Sequence, residues 1–175
     1  MQNSLDQLAR RERELCDRVR DLTGSIEEQT AVLEKSGTFR AYAKVFTEYV
    51  ALCTVPDLAD EALARATFLL WYDCVGPACV SGMRGLPDEA RAECLKRLDR
   101  RIADGTLPDE LRWQLAYYFW FADFAFAPRD GLAHLQEWFA SSDPSGWEAR
   151  VRRRTMSDRG QLGEYWSSVG ASPAL

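Results

Sequence analysis

Histidine is almost missing from this sequence: among 175 residues there is one, His134. Zinc helices of the His-x-x-x-His kind and di-iron bundles built on Glu-x-x-His pairs each need more than one, so both are excluded. Cysteine does not fill the gap. Cys16, Cys53, Cys74, Cys79 and Cys94 are odd in number and have no framework spacing, and Cys74 and Cys79 stand too far apart for a Cys-x-x-Cys pair. Reduced structural thiols are expected, with no metal and no cofactor. A Cys-His nucleophile pair between His134 and Cys74 or Cys79 is an arrangement that any chain with such residues offers.

Other signatures are missing too. No stretch of about 18 uncharged apolar residues occurs, so no membrane span is expected. The start, Met1 to Glu14, lacks the basic region and apolar run of a secretory signal, and a cytoplasmic location is the expectation. Neither Gly-x-x-x-x-Gly-Lys nor Gly-x-Gly-x-x-Gly is present, and no strand pattern exists to carry them. A Gly-x-Ser-x-Gly elbow at Ser81 fails because Cys79 and Met83 occupy the glycine positions. An excess of positive charge is likewise absent. The formal net charge is −5, acids and bases alternate along the chain, and the basic group Arg150, Arg152, Arg153 and Arg154 is diluted by Glu148, Asp158 and Glu164. Nucleic acid is therefore not an expected partner, and no helix supplies a basic recognition surface.

What the chain has is apolar and aromatic matter in helical spacing. Hydrophobic residues make up 46%, with six Trp, six Tyr and eight Phe, enough to build one domain without disulfides. From the N-terminus, Leu5, Leu8, Glu12, Leu15, Val19, Leu22, Ile26, Gln29 and Leu33 recur at steps of three and four, a heptad seam. A seam this narrow must be covered, either by a second molecule or by folding back onto the body, and the pattern leaves both open. Gly24, within Thr23-Gly24-Ser25, is a candidate break into two shorter helices.

Helical spacing continues through Phe39, Tyr42, Phe46, Tyr49, Val50 and Cys53 to the stop at Pro56. Asp57 is the expected cap of the next helix, which runs to about Val75 before Gly76-Pro77. Two further helices start on the same phrase, Leu86-Pro87-Asp88-Glu89 and Leu107-Pro108-Asp109-Glu110, with proline at the first helical position. The first presents Ala90, Cys94, Leu95, Leu98 and Ile102 inward, opposite a charged face read as solvated, and ends at Gly105. The second, from Trp113 to Phe126, is apolar nearly all round and is expected to run through the centre of the domain. A short helix around Leu132, Leu135, Trp138 and Phe139 follows a turn at Pro128 to Gly131. The remainder, rich in Ser, Gly and Pro, is expected to be weakly structured, with Trp147, Tyr165 and Trp166 as anchors and a frayed end.

The fold expected is all-α: an irregular bundle of about five to seven helices with a long N-terminal heptad-patterned helix. Residues 1–36 form the helix, 37–140 the core and 141–175 the tail. For function the leading expectation is a protein-protein interaction module, such as an accessory subunit, adaptor or immunity-type inhibitor in a bacterial complex. Its partner, or a second copy, would be met through the seam Leu5, Leu8, Leu15, Val19, Leu22, Ile26 and Leu33. The alternative is a small helical enzyme or ligand-binding protein with an aromatic-lined pocket. Its residues would be Trp71, Asp73, Trp113, Trp120 and Asp123, with Pro77 and Arg84 on the glycine-rich connection Gly76 to Gly85. Asp73 and Asp123, inside apolar helices, need a pairing cation, for which Arg65, Arg84 and Arg112 are nearest in sequence.

Overall fold

Gly24 decides the shape of the N-terminal region. Its φ of 105° is left-handed, and a computed structural model, describing residues 2–126, 131–151 and 156–171, shows two helices on either side of it, α1 (Gln2–Arg20) and α2 (Ile26–Lys35). Ser25 and Glu28 close a capping box at the second start: the Glu28 amide donates to Ser25 Oγ at 3.3 Å, and the Ser25 amide to Glu28 Oε2 at 2.8 Å. The expected single long helix is corrected to this pair. Satisfying the amides freed at a break is what makes it stable.

The remaining helices are α3 (Thr38–Leu52), α4 (Ala59–Val75), α5 (Ala78–Ser81), α6 (Asp88–Ala103), α7 (Asp109–Phe121), α8 (Ala133–Ser141), α9 (Trp147–Val151) and α10 (Gly160–Ala171), with a 3₁₀ turn at Asp123–Phe126. Ten α-helices and no strand among the described residues make the chain all-α, with more helices than expected.

The centre is α4, where every residue from Ala62 to Trp71 is buried. A helix buried on all sides has no face left for water, and α3, α5, α6, α7 and α10 all pack on it. This corrects the expectation that the helix after Pro108 is central. In α7 burial holds through Tyr118, after which Trp120 and Phe121 emerge, and Ala122 (φ −156°, ψ 74°) ends the helix before the 3₁₀ turn.

Boundaries shift by single residues elsewhere. Leu58, not Asp57, precedes α4, and Pro87 and Pro108 stand one place ahead of their helices in extended backbone. α1 lies on α3, α5 and α10, so Leu5, Leu8 and Leu15 are buried by their own chain. Val19 and Leu22 are half-buried, and on α2 Leu33 is buried while Ile26 stays exposed.

The segment from 141 onward differs most from expectation. Leu162 and Trp166 of α10 are sealed in the core, with Trp166 edge-on to Trp113 (4.8 Å) and Tyr117 (4.9 Å) and its Nε1 donating to the Tyr118 hydroxyl at 2.9 Å. Serines and glycines dilute the helical signal without removing the three or four large side chains that dock it. The expected turn at Pro128, most of the arginine cluster and the frayed last residues fall on 127–130, 152–155 and 172–175, outside the described residues.

Candidate functional site

The residues expected to share a pocket do not meet. Trp71 and Trp113 are core side chains, Trp71 stacked on Tyr118 at 4.7 Å. Asp73, with its side chain 6% exposed, accepts from Arg91 Nη1 at 2.9 Å and from the Leu86 amide at 3.5 Å, so its cation is Arg91 of α6, not Arg65, Arg84 or Arg112. Asp123 is exposed and accepts from the Phe124 amide at 2.7 Å. One acid is neutralised against a neighbouring helix and the other is in solvent, so no acid-base pair is assembled.

Pro77 and Arg84 are exposed. Between them Gly82 (φ 72°) lies so close to α1 and α3 that a Cβ would stand 2.6 Å from Tyr42 Cε2 and 2.8 Å from Val19 Cγ2. The connection is a close-packed corner. His134 Nδ1 lies 3.3 Å from Asp99 Oδ2, which gives the one imidazole a carboxylate partner on α6.

A second set of polar residues is buried, and the sequence pattern alone did not assemble it. The Tyr49 hydroxyl donates to Glu12 Oε2 at 2.6 Å, and Arg65 Nη1 donates to the same hydroxyl and to the Leu5 carbonyl, each at 3.3 Å. Arg65 Nε donates to Glu61 Oε1 at 2.7 Å. Glu61 also receives Arg159 Nε at 2.9 Å and Nη2 at 2.6 Å, and Arg159 continues to Glu110. The chain of bonds ties α1, α3, α4, α7 and the turn before α10. Burial pushes the Glu12 carboxyl up to about 7, although Tyr49, Arg65 and the Gln161 amide each favour its charge. Glu61 is also burdened by burial, yet the bonds and charges of Arg159 and Arg65 outweigh it and leave its pKa below the ordinary value. Glu12 is only 1% exposed, so no substrate reaches it and the network is a fastening.

The exposed counterpart lies at the end of α7. Trp120, Phe121 and Phe124 are 68%, 58% and 61% exposed, three large aromatic side chains within five consecutive positions. Phe124 lines a groove of about 400 Å³ together with Phe119, Phe126, Phe139 and Asp123, while Phe121 lies against Trp71 and Tyr117. Phe119 and Phe139 stack at 3.8 Å, which fixes the groove floor. Of the residues expected to line a pocket, Trp120 thus belongs to the surface. Phe121 and Phe124 were legible only as apolar, since a run without a polar side gives no sign of where it leaves the core.

Among the described residues no helix is long and apolar enough to cross a membrane, and no group of three or more His, Cys, Asp or Glu side chains is placed to hold a metal ion. Compared with known protein families, characterised proteins and solved structures, the chain gives no match.

Proposed function

We propose that this chain is a protein-interaction module, an adaptor, accessory subunit or inhibitor, and that it holds its partner at the aromatic end of α7. The observation that carries the reading is the exposure of Trp120, Phe121 and Phe124 within five positions at the end of α7, with Phe124 on the wall of an apolar groove. Large aromatics are the residues on which interface energy concentrates, and leaving three of them in water is unfavourable for a chain that buries Trp166 and Trp71 completely. The N-terminal seam, by contrast, is largely occupied within the chain, because α3, α5 and α10 already cover Leu5, Leu8 and Leu15.

The partner surface that fits is an amphipathic segment, apolar on one side and basic on the other. Its apolar side would enter the groove, while its cations would meet Asp123, the exposed Glu137 and the −5 charge of the whole chain. Selection from a displayed library of random peptides tests this directly, with counter-selection on a Trp120→Ser/Phe124→Ser variant. Enrichment of basic amphipathic peptides that bind the parent and fail on the variant is the expected result. A selection that returns only sequences binding both proteins equally would remove the reading, and dimerisation abolished by the same two substitutions would replace the outside partner with a second copy.

A further inference from the structure

A cavity of about 320 Å³ lies between α6 and the junction of α3 with α4, and its lining is basic although the chain as a whole is acidic. Lys96, Arg97, Arg100 and Arg101 come from one face of α6, and Glu93 and Asp104 are the carboxylates on the same wall. Positions separated by three and four residues fall on the same side of a helix, which gathers these four cations around one opening. Their pairing is uneven. Arg97 reaches Glu93 at 2.7 Å and Arg101 reaches Asp60, whereas Lys96 and Arg100 have no acidic partner among the described residues. Arg97 Nε is buried with no hydrogen-bond acceptor among the described residues. The opposite wall, Cys53, Ala59 and Leu63, is uncharged.

We infer that this cavity binds a small phosphate-bearing ligand with at least two negative charges. Two cations on its rim have no acidic partner among the described residues, four cations face one opening against the two carboxylates Glu93 and Asp104, and the volume is at the lower end of that of small-molecule pockets, more than an isolated phosphate fills. The geometry suits a phosphorylated small molecule. Its phosphates lie against Lys96 and Arg100 and its uncharged part against Leu63 and Ala59. This separates the charged face of α6 from an ordinary solvated surface, where cations project from a convex wall and pair at random. The site is distinct from the aromatic end of α7, and neither reading depends on the other.

Isothermal titration of the intact chain with pyrophosphate and with adenosine diphosphate at low salt is the test. A dissociation constant of about 0.1 mM or tighter is expected for at least one of them. Lys96→Gln/Arg100→Gln should weaken it by about tenfold or more, because two charge-assisted contacts are lost. The charge-preserving Lys96→Arg/Arg100→Lys should weaken it less than Lys96→Gln/Arg100→Gln does, because both positive charges stay in place. Arg10→Gln/Arg18→Gln on exposed positions of α1 controls for the general field and should change little. Circular dichroism confirms that each variant is folded, as expected for exposed positions. No heat from either compound up to about 10 mM overturns the inference. Binding that survives Lys96→Gln/Arg100→Gln, or that falls equally in the α1 control, overturns it as well.

Discussion

At the scale of single residues, Glu12 is a carboxylate kept where ionisation is penalised, and the sign of its effect on stability follows. Its folded pKa is about 7, above the ordinary 4.5, so the native state holds the proton more tightly than the unfolded chain does. Its contribution is therefore complete below pH 4.5 and declines as pH rises to 7, by on the order of 3 kcal/mol if the shift acts alone. Glu61 works the other way: its pKa is lowered, so the stability it contributes is lost as pH falls through the acid range. The chain should be most stable in mildly acidic solution. Urea titrations from pH 4 to pH 8 check this, and Glu12→Gln should flatten the decline on the neutral side while leaving the acid side unchanged. If Glu12→Gln keeps the parent's slope, Glu12 is not the group responsible. Gly160 (φ 61°) is a second sensitive position, because a Cβ there would run into the Glu12 carboxylate. Gly160→Ala should lower stability by roughly 2 kcal/mol or more, read from the denaturation midpoint. The sequence marks Glu12 as one polar member of an apolar seam. It does not reveal Tyr49, 37 positions away, or that Glu61 binds an arginine 98 positions away, because periodicity reports a face and not what faces it.

At the scale of helices, α1 and α10 are structural members of the core. Removing residues 1–24 exposes the surfaces that Leu5, Leu8 and Leu15 cover. At roughly 1.5–3 kcal/mol for each buried aliphatic side chain, the loss is comparable with the 5–15 kcal/mol by which domains of this size are stable. The truncated chain should lose cooperative thermal unfolding, and a sharp transition at the parent's midpoint would show that α1 is dispensable. Trp166→Ala in α10 should cost about 3–5 kcal/mol by the same measurement. Helix existence was readable nearly everywhere, since spacing, prolines and Gly105 place α3, α4, α6 and α8 within a residue or two. The break at Gly24 was foreshadowed by Thr23-Gly24-Ser25, whereas the capping box that Ser25 forms with Glu28 emerged only in the structure. The end of α7 and the docking of α10 were not readable. Both depend on which neighbour is available, and a helix with apolar residues all round, or with few of them, carries no direction.

At the scale of the whole molecule, a sealed interior and an unsealed aromatic end coexist, and they should respond differently to substitution. Trp120→Ser/Phe124→Ser should change stability by less than about 0.5 kcal/mol for each exposed site, against several for Trp166. Equal losses at both places, read by denaturant titration, would mean that the aromatic end is part of the core. Neither surface that now carries a proposal was legible in the composition. Both arise from curvature, the groove beside α7 and the hollow beside α6, and curvature exists only once the helices are stacked. The contact of α1 with α10 has one more consequence, for biosynthesis. α3 and α5 supply part of the seat of α1 soon after it is made, but the part that α10 supplies comes only after α6 to α9, so until then one side of α1 stays uncovered and open to a holding chaperone.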